Sequence, residues 1–169
     1  MHLNKYKKIL QDAIDGADSR VTLQNSNAHQ TIVLERMFAN GNEIIRVLND
    51  KFDTLVFGDK DLIESVINFA GDRSRTVKIA LESLDAYLID FHPFLRALKH
   101  HPNIVFRLIP KRISGSFDVN FSTIDDFGYR YVPDKYKTHA MVQFGDKEFT
   151  EKLVKMFDRI WALSNPVDK

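Results

Sequence analysis

Cysteine is absent from this chain of 169 residues. Disulfides, thiolate zinc sites and cysteine nucleophiles are therefore excluded. No apolar run reaches membrane length, and the N-terminus, Met1-His2-Leu3-Asn4-Lys5, lacks the apolar core of a signal peptide. No membrane partner is expected, and a cytoplasmic location is. A surplus of one charge is also missing. The formal net charge is +1, so no global field drives the chain onto nucleic acid or a membrane surface, although a local basic patch remains open. The glycines Gly58, Gly71, Gly115, Gly128 and Gly145 are scattered and form no phosphate-cradling loop, and no serine sits in a nucleophile elbow. There is no internal repeat and no low-complexity segment. Neither a metal nor a cofactor is expected. His100-His101 is a poor chelate, because adjacent helical residues point about 100° apart.

What is present is an ordinary globular composition, 44% hydrophobic and 28% charged, in a chain long enough for one domain with a sizeable core. Thirteen phenylalanines imply an aromatic-rich core or an interface. Leu3, Tyr6, Ile9, Leu10, Ala13 and Ile14 predict an amphipathic helix ending near Gly16. Arg20–Gln24 reads as a short strand. Asn25-Ser26-Asn27 offers a helix cap, with Gln30 three residues after Asn27 as in a capping box, and Asn40-Gly41 closes that helix. Ile44–Leu48 is β-rich; the alternative is that Leu55–Phe57 forms the first core strand. Asp59 or Asp61 caps a helix running to Gly71. Thr76–Leu81 and Asn103–Pro110 read as strands. Between them, Asp90-Phe91-His92-Pro93 opens a helix through its proline. Strands alternating with helices imply right-handed βαβ units.

The last third is the most informative. Phe117 to Val132 alternates around Asp125-Asp126-Phe127-Gly128 and predicts a hairpin. Ala140–Phe144 is a further short strand. A long amphipathic helix follows. Asp146 is its N-cap, its buried stripe is Phe149, Leu153, Met156, Phe157, Ile160, Trp161 and Leu163, and Asn165-Pro166 is its stop.

Three pieces of this stretch, Val119-Asn120-Phe121-Ser122-Thr123-Ile124-Asp125, Gln143-Phe144-Gly145-Asp146 and Phe157-Asp158-Arg159-Ile160-Trp161, resemble the C-terminal part of phospholipase D-like domains. The resemblance spans about Thr31 to Ser164, with residues 1–30 as an N-terminal helical extension within a single domain of residues 1–169. It implies an α/β fold with a mixed, mostly parallel sheet flanked by helices on both faces. Catalytic members of the family carry His-x-Lys on the first of these strands and Gly-Ser-x-Asn after the second. Here Asn120 and Ser122 stand where His and Lys are expected, and Gln143-Phe144-Gly145-Asp146 looks like a variant found in non-catalytic, small bacterial relatives. The histidine is a nucleophile and the lysine neutralises developing charge; an amide and a hydroxyl replace neither.

Since catalytic members build one site from two such halves, the resemblance also implies a homodimer or pairing with another chain. The expected function is a non-catalytic binding or regulatory module for nucleic acid, a phosphorylated ligand or a partner protein. Fold-level analogy extends this to phage defence or mobile-element roles. One alternative is a phosphodiesterase or nuclease using His139 and Asp146, which have the family's spacing but with Met141 at the lysine position. Another is an operon-partner or antitoxin-like interaction protein, which exposed phenylalanines would favour. The candidate anion-binding residues are His92 at a helix start, Lys111 and Arg112 after a strand, and Arg130, Lys135 and Lys137 interleaved with Tyr131 and Tyr136.

Overall fold

The structure, a computed structural model, describes residues 2–16, 22–83 and 92–167. Arg20, Asp90 and Phe91, which figure in the sequence reading, lie outside the described residues.

The elements follow in chain order. Helix α1 (Leu3–Asp15) precedes strand β1 (Thr22–Gln24) and helix α2 (Asn27–Asn40). Strand β2 (Ile44–Asn49), the one-turn helix α3 (Thr54–Phe57) and helix α4 (Lys60–Gly71) come next. Then come β3 (Thr76–Leu81), α5 (Pro93–Leu98), β4 (Ile104–Leu108) and the one-turn α6 (Lys111–Ser114). The chain closes with β5 (Asn120–Ile124), β6 (Gly128–Val132), β7 (Ala140–Phe144), α7 (Lys147–Leu163) and β8 (Asn165–Pro166).

The eight strands of the described residues form one sheet in the order β1-β7-β6-β5-β2-β3-β4-β8. The sheet is mixed, as expected, but its parallel part is confined to β2-β3-β4; the other five pairings are antiparallel. The parallel share is smaller than expected because the hairpin partner β5 docks on β2, and β1 and β8 close the two edges antiparallel. Residues 44–49 form the first core strand, whereas Leu55–Phe57 lies in a helical turn started by Asp53, whose carboxylate accepts from Leu55 N at 2.9 Å. The cap of α2 also differs from expectation. Ser26, one residue before Asn27, is the N-cap, and its hydroxyl accepts from His29 N at 3.2 Å.

Strand alternation sorts the side chains onto two faces. Ile45, Val47, Val77, Ile79 and Phe106 meet Leu34, Phe38, Val66, Phe69 and Phe94 from the helices of one face. Tyr6 and Leu10 of α1 continue that layer over Ile124, Val142 and Phe144. Residues 1–30 thus supply both an edge strand and part of this layer. On the other face Leu48, Ala80, Phe121 and Tyr129 receive Leu153, Phe157 and Ile160 of α7. Two backbone devices fix the hairpin end. Asp125 holds φ 48° and its carboxylate accepts from the amides of Asn42, Glu43 and Ile44 at 2.8–2.9 Å, tying the turn to the start of β2. Gly145, at φ 88°, makes the left-handed step into α7 that a side chain would resist.

Candidate functional site

Because β2 runs opposite to β5 and β5 opposite to β6, the end of β2, the start of β5 and the end of β6 meet at one end of these central strands. A cleft of about 270 Å³ opens there. Its walls are Asn49 at the end of β2, Asp50, Lys51 and Asp53 after it, and Lys135-Tyr136-Lys137-Thr138 after β6. Asn120 stands at the start of β5, and the first turn of α2 adds Asn27 and Gln30. This is the carboxyl end of the parallel strands, where open α/β sheets collect ligands.

Asn120 is buried and already committed. Its Oδ1 accepts from Asp50 N at 3.0 Å, and its Nδ2 donates to Asp50 Oδ1 at 2.9 Å. The amide therefore clamps the start of β5 to the loop after β2. Ser122 is buried on the same face of β5, with Val47 opposite on one side and Arg130 on the other. A cation thus sits across the ladder from Ser122, one strand away from where the family resemblance expects a lysine.

Arg130 is only 3% exposed and lines the floor of the cleft. Its Nε donates to Gln24 Oε1 at 2.6 Å, and Gln24 Nε2 donates to the Thr138 carbonyl at 2.8 Å. Burial pulls the guanidinium pKa down to about 10, with Tyr6 opposing; no carboxylate of the described residues acts on it. Lys135 differs. Its Nζ donates to both Glu82 oxygens at 2.9 and 3.0 Å and to the Phe117 carbonyl at 3.2 Å, and its side chain is 6% exposed. Burial alone would lower its pKa, but the hydrogen bond and charge of Glu82, with Tyr136 and Asp118, hold it above the ordinary value. Lys137 is on the rim, exposed and paired with Asp134 at 2.9 Å.

The cleft therefore brings together three of the expected anion-binding residues, Arg130, Lys135 and Lys137, and leaves out the others. His92 is a correction. It is 1% exposed, caps α5 by accepting from Phe94 N at 3.2 Å, and packs 5.7 Å from Phe52, so its ring is part of the core. Burial pushes its pKa below the ordinary value, against Phe52 and Asp53. Lys111 and Arg112 follow β4 as expected but are exposed on α6, outside the cleft. The pairing of His139 with Asp146 is a second correction. His139 precedes β7 and Asp146 follows it, capping α7 through Phe149 N at 3.0 Å. Seven residues of extended rise put them about 20 Å apart, so they cannot share a substrate within one chain. The same geometry moves the expected Gly-Ser-x-Asn position. β5 pairs in its hairpin with β6, whose exit at Val132-Pro133-Asp134-Lys135 borders the cleft, whereas Gly145-Asp146 lies at the opposite end.

Gln24 and Asp50, which hold Arg130 and Asn120, carry no sequence signal, since their partners are 106 and 70 residues away. Among the described residues no group of three or more His, Cys, Asp or Glu could hold a metal ion. None of the described helices is long and apolar enough to cross a membrane.

No family model and no curated protein matches the chain. Solved structures do. TrmBL2, an archaeal chromatin protein described as showing a novel mode of DNA binding, aligns with a TM-score of 0.64 at 16% identity, over 97% of this chain. The match covers 60% of the TrmBL2 chain. The phospholipase D family member Nuc from Salmonella typhimurium aligns with a TM-score of 0.61 at 12% identity, over 89% of this chain and 99% of Nuc. The fold is phospholipase D-like. NucT from Helicobacter pylori agrees, with a TM-score of 0.58 at 13% identity over 88% of this chain and 99% of its own. At these identities the likeness is one of architecture. Asn120 and Arg130 line the cleft, with Ser122 buried beside Arg130 on the sheet, and what they do must come from their own chemistry.

Proposed function

We propose that this chain is a non-catalytic binding module on a phospholipase D-like frame, acting as a homodimer or with another chain. The observation that carries this reading is Asn120. It stands where the resemblance expects the attacking imidazole, and both ends of its amide are held by Asp50. An amide is not a nucleophile toward phosphorus, and Ser122 is buried with no base among its neighbours on the sheet, Val47 and Arg130. The buried Arg130 keeps positive charge in the cleft, so anion binding survives the loss of the nucleophile. The DNA binding described for TrmBL2 makes nucleic acid one candidate ligand, beside a phosphorylated small molecule or a partner protein. An interface built on phenylalanine is not supported, because none of the twelve described phenylalanines is exposed.

The test is turnover. The purified chain is incubated with labelled DNA, labelled RNA and bis(4-nitrophenyl) phosphate, beside an Arg130→Met variant. The expected outcome is no product above the buffer blank. Product that disappears in the variant would overturn the non-catalytic reading.

A further inference from the structure

The cleft holds one recessed positive charge, Arg130, that no carboxylate of the described residues pairs with. A guanidinium out of water is unfavourable unless an opposite charge and full hydrogen bonding compensate it. Arg130 is more than nine-tenths buried, and its one hydrogen bond described above goes to a neutral amide, Gln24. Of the other cations lining the cleft, Lys135 pairs with Glu82 and Lys137 with Asp134, and Lys51 is exposed. Among the described residues nothing balances Arg130, and an anionic ligand would.

The rim decides what kind of ligand. Asp50 and Asp53 stand at the mouth of the cleft beside Lys51, so the approach is not uniformly positive. A nucleic-acid backbone needs several cations in a row to displace its counterions, and here the carboxylates of Asp50 and Asp53 would face its flanking phosphates. A cleft of about 270 Å³ also lies at the small end of the range for small-molecule sites. Asn27 and Gln30 add uncharged hydrogen-bonding groups to its wall.

Building on the non-catalytic reading above, we propose that Arg130 seats a single terminal oxyanion, the carboxylate or phosphate monoester of a small molecule, at the floor of the cleft, and that a phosphodiester backbone is not its ligand. Gln24 takes the Nε–H and fixes the guanidinium plane. A two-oxygen anion then accepts from the same rigid fork, geometry that a lysine cannot offer.

The experiment follows the Arg130 Nε–Hε resonance in the full-length protein by NMR, with inorganic phosphate, acetate and a single-stranded deoxyoligonucleotide as separate titrants. Each runs to about 10 mM, enough to reveal a site with a dissociation constant near 1 mM. Saturable movement with phosphate or with acetate is expected, and which of the two acts more strongly assigns the source. Followed on the Gln24 side-chain amide, which all variants keep, the same titrations should show no saturable movement in Arg130→Met and at least tenfold weaker binding in Arg130→Lys. The melting temperature should rise with the active anion in the wild type but not in Arg130→Met. A response to the oligonucleotide alone, or to none of the three, overturns the proposal even if Arg130→Met fails to fold, because the wild-type titration stands by itself. Either result leaves the non-catalytic reading intact, since that fails only on turnover.

Discussion

Tyr6 shows what a single side chain does beneath the cleft. It is fully buried, its ring meets His29 at a centroid distance of 4.3 Å, and its hydroxyl has no hydrogen-bond partner among the described residues. Burial raises its pKa from 10.0 to about 12, with Arg130 opposing. Below pH 10 both folded and unfolded chains keep the phenolic proton. Between about 10 and 12 the unfolded chain releases it first, so this residue's contribution to stability falls as pH rises. Tyr6→Phe removes both the orphan hydroxyl and the titration. It should raise stability by about 1 kcal/mol near neutral pH and flatten the alkaline loss, read as the difference between variant and wild type in urea denaturation at each pH. A loss of about 1 kcal/mol instead would mean that the hydroxyl has a partner. The shape of Tyr6's environment was legible, since helical spacing put it on the buried stripe of α1. Its closeness in charge terms to Arg130 was not, because the two residues come from distant parts of the chain.

At the scale of elements, α7 covers one face of the sheet as its apolar spacing predicts. Phe157 is fully buried, 6.4 Å from Phe121 and stacked on Trp161 at 5.5 Å between ring centroids. Arg107 lies over the Trp161 ring at 4.8 Å and donates from Nη1 to the Trp161 carbonyl at 2.7 Å. Phe157→Ala should therefore cost about 4 kcal/mol in urea denaturation, since both the transfer free energy and the cavity count. A loss under about 1 kcal/mol would mean that the helix does not dock this way. Periodicity failed at the helix end. Leu163 is 52% exposed, although the stripe predicts burial, because the buried face at that turn falls on Ser164, whose hydroxyl donates to the Ile160 carbonyl at 2.7 Å. Asn165-Pro166 is more than a stop. It pairs with Leu108 and Arg107 as strand β8, and nothing local in the sequence announces a partner nearly sixty residues back.

For the whole molecule, the open question is how many chains make the working unit. If the cleft works as one of a pair, light scattering should give about twice the 19.6 kDa chain mass at the higher concentrations tested. One chain mass throughout would remove the homodimer. The sequence by itself determined the elements. Period-two and period-3.6 patterns, caps such as Asp59 and Asp146, and the Asn120-x-Ser122 pair are local features that survive in one dimension. Only the tertiary structure decided the sheet order, the separation of His139 from Asp146, the burial of His92 and the sorting of the cations. Arg130, Lys135 and Lys137 are alike on the page of a sequence. They differ once Gln24, Glu82 and Asp134 are brought beside them, because a charge acquires its chemistry from what surrounds it.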